Sequence, residues 1–142
     1  MFSKSCEYGI RAVTFIATHA GQCVGIKSIV KSVDSPESFT SKILQQLVRA
    51  KIISSMKGPN GGFYIEEAQT KKISLLHIVD AIDGDNVFNG CGLGLKACNS
   101  KKPCPMHHEF ENVRNDLKEM LIRTTLNDLI DSLKKGESFL KR

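Results

Sequence analysis

The feature that most constrains the fold is a glycine-rich segment at residues 58–62, which lies between two short runs of β-favouring residues. The segment has the sequence Gly-Pro-Asn-Gly-Gly, a composition typical of a tight turn. Residues 52–56 before it and residues 63–65 after it contain isoleucine and aromatic side chains, which predicts two short strands. Together they predict a small β-hairpin with a glycine-rich tip.

Three amphipathic helices are predicted before this hairpin, because apolar residues recur there at three- and four-residue spacings. The predicted ranges are 7–20, 26–33 and 36–50. Ser35 followed by Pro36 predicts the N-cap and the first residue of the third helix. Three helices followed by a hairpin is the order of a winged helix-turn-helix, in which the third helix enters the major groove and the wing contacts the flanking backbone.

The pattern changes twice after the hairpin. Ser74 predicts the cap of a short helix that ends at Gly84, and residues 85–105 then show no periodicity. Beyond Pro105 apolar residues return at helical spacing, and the pattern continues after Thr124. We therefore expect a mainly α fold with a small β-hairpin wing and a long C-terminal helix.

The length of 142 residues favours one compact domain. Within it we expect a winged helix-turn-helix DNA-binding region at 1–66 and a cysteine-loop sensor and dimerisation helix region at 67–142. No apolar run approaches the roughly 18 residues of a membrane span, and no signal peptide is recognisable. We expect a cytosolic protein without a membrane partner. Five cysteines in a reducing compartment favour core residues, metal ligands or reactive thiols over disulfides.

The net charge of +5 is unevenly distributed. Residues 1–72 hold 10 basic and 5 acidic side chains, whereas residues 73–142 hold 10 of each, so the whole excess lies in the first half. A polyanion-binding surface is therefore expected in the helix and hairpin half, with a solvated basic face as the alternative.

The predicted recognition helix and wing carry the candidate DNA contacts. Serine, threonine and glutamine hydrogen-bond to bases or phosphates, and lysine neutralises phosphates. The expected DNA-binding residues are Ser38, Thr40, Ser41, Lys42 and Gln45 on the helix, and Lys57, Asn60 and Gly61 on the wing.

Three cysteines in the aperiodic segment are the strongest chemical signal. Cys91, Cys98 and Cys104 are separated by six and then five residues, and His107 and His108 follow. Thiolates within one flexible loop can converge on a soft metal, so a metal or cluster site is favoured over mobile, unliganded thiols. The spacing matches neither zinc fingers nor bacterial ferredoxins. His108 would point about 100° away from His107 on a helix, so one histidine of the pair is expected to face the site.

Signatures of an enzyme are missing from the sequence. It has no nucleophile and base arrangement, no paired catalytic carboxylates and no phosphate-cradling loop, because residues 58–62 lack the Gly-Lys-Ser/Thr ending. We expect a protein that is not an enzyme.

Taken together, the motifs resemble the iron-sulfur winged-helix regulators of the IscR and NsrR type, and the resemblance covers almost the whole chain. In chain order the matching segments are Glu7-Tyr8-Gly9-Ile10-Arg11-Ala12, Lys42-Ile43-Leu44-Gln45-Gln46-Leu47, Lys57-Gly58-Pro59-Asn60-Gly61-Gly62-Phe63, Leu75-Leu76-His77-Ile78-Val79-Asp80-Ala81-Ile82-Asp83-Gly84, the three cysteines, and Thr125-Leu126-Asn127-Asp128-Leu129. One departure is Lys57, which stands where arginine is usual in these regulators.

The resemblance implies a homodimeric transcription factor that binds double-stranded promoter or operator DNA with an affinity set by an iron-sulfur cluster. The three cysteines match the cluster cysteines, and either His107 or Glu7 matches a fourth ligand. Both are present, so the fourth ligand stays open, and with it the choice between [2Fe-2S], which we favour, and [4Fe-4S]. The long C-terminal helix would pair with its twin, and the expected dimerisation residues are Phe110, Val113, Leu117 and Leu121.

Two other functions stay open. One keeps the DNA-binding half but makes the cysteines a cluster-free thiol sensor or a zinc site. The other, from a different class, is a small iron-sulfur electron carrier or cluster-delivery protein, against which the basic hairpin argues.

Overall fold

The structure is a computed structural model that describes residues 2–141, so Met1 and Arg142, the outer ends of the two predicted regions, lie outside the described residues. Within these bounds helices dominate and the one sheet is a two-stranded antiparallel hairpin, which confirms the predicted fold class. In chain order the elements are α1 (Lys4–Thr18), α2 (Ile26–Val33), α3 (Glu37–Arg49), β1 (Ser54–Met56), β2 (Gly62–Tyr64), α4 (Glu67–Lys72), α5 (Leu75–Asp83), α6 (Asn86–Asn89), α7 (His107–Arg123) and α8 (Leu126–Lys134).

The central helix of the fold is α1, which packs against α2, α3, α5 and α8. Its apolar residues Ala12, Val13 and Ile16 are fully buried in the main core. The helix begins three residues before the predicted start because Ser3 caps it, and the Cys6 N–H donates to Ser3 Oγ at 3.0 Å.

The turn between α2 and α3 differs from the prediction in its cap. α2 ends at Val33, its C-cap Asp34 has a left-handed backbone with φ 52°, and α3 begins at Glu37 with Pro36 at the N-cap. The prediction that Ser35 caps α3 is wrong, because its hydroxyl instead accepts a hydrogen bond from Thr40 Oγ1 at 2.6 Å.

The wing is short and is attached to the chain before α2. β1 pairs with β2 in a register that places Ser54 opposite Tyr64, and the strand is shorter than predicted because Ile52 and Ile53 are buried in the turn after α3. Phe63 and Val24 exchange two backbone hydrogen bonds of 2.8 Å. This bridge fixes the base of the wing to the helical core.

The C-terminal part contains the predicted long helix, the 17-residue α7, and a second helix, α8. Leu75 N–H donates to Thr124 O at 2.9 Å and Leu126 N–H donates to Ile73 O at 3.0 Å. Between α7 and α8 the chain is therefore extended and pairs with residues 73–75 through an antiparallel bridge. α8 then packs on α1 and places Leu126 and Ile130 in the main core.

A second, smaller core cluster forms where α1, α5 and α7 meet. Cys6, Val79 and Leu121 are fully buried in it, as expected for an isolated cysteine among apolar neighbours. The assignment of Leu121 to a dimer surface is therefore wrong, because α7 turns this side chain into its own protomer. No helix within residues 2–141 is long and apolar enough to span a bilayer.

Candidate functional site

The exposed face of α3 carries four of the polar residues of the winged half. Ser38, Lys42, Gln45 and Arg49 follow one another at four, three and four residues, and all four are exposed. Residues at these spacings lie on one side of a helix. α3 therefore presents two hydrogen-bonding side chains and two cations in a single line.

Two of the predicted helix contacts lie elsewhere. Thr40 is fully buried and its hydroxyl donates a hydrogen bond to Ser35 Oγ, so its assignment to DNA binding is wrong. Ser41 is half-buried, on the flank of the exposed line. The sequence pattern did not separate Thr40 from its neighbours, because a buried threonine and an exposed threonine look alike at one position of a polar helix.

The tip of the wing exposes Lys57 and Asn60. Its glycines have a structural reason: a Cβ at Gly61 would lie 2.2 Å from Met56 O, and one at Gly62 would lie 2.2 Å from Val24 O. Backbone this close excludes any side chain. The double glycine therefore lets the wing fold tightly and lie against the residues before α2. This structural requirement is independent of any contact with DNA.

The cations of α3 and the wing form no salt bridge with any other residue of the described range 2–141. Among residues 2–141 the salt bridges are Lys4–Glu7 and His108–Glu111, and neither involves α3 or the wing. Lys42, Arg49 and Lys57 thus remain available to an anionic partner.

The cysteine loop, residues 90–106, brings its ligand candidates together in two pairs. In the first pair, Cys98 Sγ lies 3.3 Å from His107 Nδ1. His107 is buried with 5% exposure, whereas the neighbouring His108 is exposed, so His107 is the histidine of the pair that lies against the loop. The His107 N–H donates to Cys104 O at 3.0 Å, so the third cysteine lies at the start of α7.

In the second pair, the Cys104 side chain lies near enough to the Cys91 thiol to influence its pKa. Backbone N–H groups of Leu93 and Leu95 donate to Cys91 and lower its pKa, and the Cys104 thiol and the Arg114 guanidinium act in the same direction. All three cysteines are free and half-buried. The lowered pKa favours the thiolate form of Cys91, the form that binds metals and reacts as a nucleophile.

Among the described residues, no cysteine sulfur belongs to a group of three ligand atoms close enough for a single ion. Ligand sulfurs around one zinc lie about 4 Å from each other. Among the described residues, the group of three or more histidine, cysteine or acidic ligand atoms lying within 4.8 Å of one another is His107, His108 and Glu111, without a cysteine. An iron-sulfur cluster, with several irons and bridging sulfides, separates its protein ligands more widely. The donor set fits such a cluster better than one metal ion.

Arg114 of α7 is the cation of this site. Its Nη1 donates to Gly90 O at 2.9 Å and its Nη2 donates to Cys98 Sγ at 3.3 Å. A cavity of about 340 Å³ opens beside it, lined in part by Cys98 and His107. The other candidate ligand, Glu7, lies on α1, where its carboxylate accepts a hydrogen bond from Lys4 Nζ at 3.0 Å.

Comparison with known proteins gives the family. Residues 2–132 match the sequence profile of Rrf2, which is described as an iron-dependent transcriptional regulator. The chain belongs to the Rrf2 family. Because the match covers most of the chain, the predicted resemblance is confirmed, and the protein is a winged-helix transcriptional regulator and not an enzyme.

Similar proteins agree with this assignment. The Rrf2 chain is 26% identical over 133 residues to an HTH-type transcriptional regulator of Aquifex aeolicus, covering 92% of each chain. Its fold is similar to that of CymR, the global cysteine regulator of B. subtilis (TM-score 0.75, 20% identity, 92% of this chain and 96% of that one). It is equally similar to that of T. potens IscR (TM-score 0.75, 21% identity, 97% and 91%).

The position of Arg114 beside the cysteine loop of this Rrf2 chain is not evident from the sequence pattern, because an arginine on a polar helix usually lies in solvent. The available signal was its spacing, since it follows His107 by seven residues, which is two turns of one helix.

Proposed function

We propose that this Rrf2 chain is a homodimeric, operator-binding regulator whose DNA affinity is set by an iron-sulfur cluster. The ligands would be Cys91, Cys98, Cys104 and His107. The observation that carries the proposal is the 3.3 Å contact between Cys98 Sγ and His107 Nδ1, which joins a loop thiol to a buried imidazole at the start of α7.

The pairing of the donors favours [2Fe-2S] over [4Fe-4S]. Each iron of a two-iron cluster takes two protein ligands, and mixed cysteine and histidine ligation is known for such clusters. Cys91 with Cys104 and Cys98 with His107 supply two such pairs. When bound, the cluster would supply a redox- and nitric-oxide-sensitive group. Glu7 stays the alternative fourth ligand, reaching over from a second subunit.

The end of α5 is the natural transmission point to the DNA-binding face. The Asp83 carboxylate accepts a hydrogen bond from the Ser3 N–H at 3.1 Å and another from the Ser3 hydroxyl, at the start of α1. Gln46 Nε2 of α3 donates to Ala81 O at 2.9 Å. The chain leaves α5 at Gly84 and reaches Cys91 through α6, so a change in the loop pulls on contacts to both α1 and α3.

The energy required for such a switch is modest. Moving an operator from mostly bound to mostly free requires the two states to differ in DNA affinity by about 5 kcal/mol. Three or four ligand bonds that form or break with the cluster can supply this difference.

The dimer surface proposed here is the outer side of α7. Phe110, Val113, Leu117 and Met120 follow one another at three, four and three residues, the spacing of a helix-pairing stripe. Val113 is 58% exposed and Met120 is 37% exposed. A second copy of α7 would cover them.

On the DNA side we propose that Ser38 and Gln45 contact bases while Lys42 and Lys57 contact phosphates. Asn60, Ser41 and the Gly61 backbone would lie at the edge of this surface. These assignments follow from the exposed line on α3 and from the unpaired cations described above.

The test begins with anaerobic reconstitution of the reduced chain with iron and sulfide. We expect about two irons and two sulfides per chain, visible absorbance, and a changed affinity for duplexes selected by the protein itself from a random pool. Cys98→Ala should lose the iron and the change in affinity. Cys23→Ala is the matched control, because Cys23 is a half-buried free thiol outside the loop. A wild-type chain that stays colourless and iron-free would refute the cluster.

A cluster-free thiol sensor is the second candidate, favoured by the lowered pKa of Cys91 and by the influence of the nearby Cys104 side chain on it. Hydrogen peroxide would join the two sulfurs into a disulfide with release of two waters. Under this candidate, peroxide changes DNA affinity in an iron-free chain and peptide mapping finds a Cys91–Cys104 crosslink.

A further inference from the structure

Arg114 is the one side chain of α7 that bonds to both arms of the cysteine loop. Through Nη1 it holds Gly90 O at 2.9 Å, immediately before Cys91, and through Nη2 it holds Cys98 Sγ at 3.3 Å. The two arms are eight residues apart in sequence and are linked by a segment of bends and turns without helix or strand. The two hydrogen bonds of one guanidinium therefore hold together the ends of a segment that has no backbone pairing of its own in a helix or strand.

The position of Arg114 on α7 makes this bridge rigid. It lies two turns after His107, so both residues project from the same side of the helix, and Cys98 Sγ contacts both of them at 3.3 Å. The loop is thereby held to one helix face through two side chains. Arg114 itself is half-buried, which limits the competition from water for its hydrogen bonds.

We propose that Arg114 is a positioning residue of the cysteine site, holding Cys91 and Cys98 at a spacing that accepts the cluster and offsetting the negative charge of the ligated thiolates. This inference rests on the proposed function for its cluster part. Its loop-ordering part concerns the metal-free chain and stands independently.

An arginine is needed for this role, since a lysine cannot replace both bonds. The guanidinium presents donors in a fixed planar fork, so two acceptors in different directions are held at once, whereas an ammonium is a point charge on a flexible stem. Arg114→Lys should therefore keep the charge beside the thiolates but lose the bridge between Gly90 and Cys98. The two parts of the role are separable by mutation.

The test compares Arg114→Gln and Arg114→Lys with Lys118→Gln. Lys118 is the matched control, because it lies one turn further along α7 with its ammonium 5.9 Å from the centre of the Phe88 ring. In the metal-free, reduced chain we expect hydrogen exchange of amides 90–98 to accelerate in both Arg114 variants and to stay at the wild-type rate in Lys118→Gln.

In the reconstituted chain, transfer of iron to an external chelator should be about 10- to 100-fold faster for Arg114→Gln, in line with the loss of metal affinity that follows when hydrogen-bond partners of metal ligands are removed. Its cluster should also have a lower reduction potential, because a nearby cation favours the more negative reduced state. Arg114→Lys should restore the potential but not the slow transfer.

Three outcomes decide the inference. Exchange and transfer rates in Arg114→Gln equal to those of Lys118→Gln would overturn it. Faster transfer with an unchanged potential would overturn the charge role and keep the bridge. A wild-type chain that binds no iron would refute the proposed function, while the exchange comparison on the metal-free chain would still decide whether Arg114 orders the loop.

Discussion

Cys6 and Cys91 are chemically identical side chains in opposite surroundings. Cys6 belongs to the packed helical region of the molecule and Cys91 to the cysteine loop. Cys6 lies in the cluster between α1, α5 and α7, where burial first, and then the neighbouring Asp83 carboxylate, raise its pKa to about 12. Cys91 lies in the cysteine loop, where backbone N–H groups lower its pKa. The packed region makes a thiol inert, and the loop makes one reactive.

The comparison separates the region that determines stability from the region that carries the reactive thiols. In the packed region, apolar contacts surround each side chain, so a mutation there acts on stability. In the loop, turns and hydrogen bonds determine the environment, so a mutation there acts on ligand binding and leaves the core intact. The predictions below test this division.

The largest expected effect is on metal content. Cys98→Ser should lose nearly all iron and sulfide after reconstitution, because Cys98 is one of the four ligands of the proposed site. Its thermal unfolding, measured on the metal-free chain by circular dichroism, should match that of the wild type, since Cys98 lies outside both core clusters. A variant that unfolds early would show that the loop belongs to the packed region after all.

The two thiols should differ strongly in alkylation. At pH 7 a pKa of about 12 leaves Cys6 with roughly one thiolate in 10⁵ molecules, whereas the lowered pKa of Cys91 raises its thiolate fraction. We expect iodoacetamide to label Cys91 in the native, metal-free chain while Cys6 stays unlabelled, as measured by peptide mass spectrometry. As the pH falls through its lowered pKa, Cys91 should lose reactivity.

The matched control for this labelling is the same chain in urea, where both cysteines should react. Native labelling of Cys6 at the rate of Cys91 would contradict the comparison.

Truncation in the packed region should act on stability alone. Leu121→Ala removes a fully buried side chain and should lower the free energy of unfolding by about 2–5 kcal/mol, measured by urea titration. The adjacent Ile122 is 50% exposed, and Ile122→Ala should cost less than about 0.5 kcal/mol. Equal losses in the two variants would place Leu121 on the surface, as the sequence had suggested.

The smallest expected effect is on the salt dependence of DNA binding. Lys57→Gln should weaken binding to all duplexes alike and reduce the slope of log K against log salt by about one, because Lys57 is expected to neutralise one phosphate. The exposed Lys96 of the cysteine loop is the control, and Lys96→Gln should leave the slope unchanged. A change of base preference in Lys57→Gln would contradict a backbone contact.

Much of the fold was predictable because its signals are local. Helical spacing and turn residues lie within a few positions of each other, so the order of helices and hairpin followed from them. The helix predicted at 26–33 matches α2 residue for residue. The break at Thr124 was missed because apolar spacing continues across it, and the hydrogen bonds that open the chain there come from Ile73 and Leu75, about fifty residues earlier in sequence.

The sequence by itself determined the winged helix-turn-helix order, the family, and the three loop cysteines with a histidine beyond them, because each depends on residue types at short spacings. Tertiary structure alone decided that Thr40 and Leu121 turn inward and that Arg114 joins the two arms of the loop. Burial and long-range hydrogen bonds arise from contacts between distant segments, and a residue's spacing along the chain does not encode which segment will cover it.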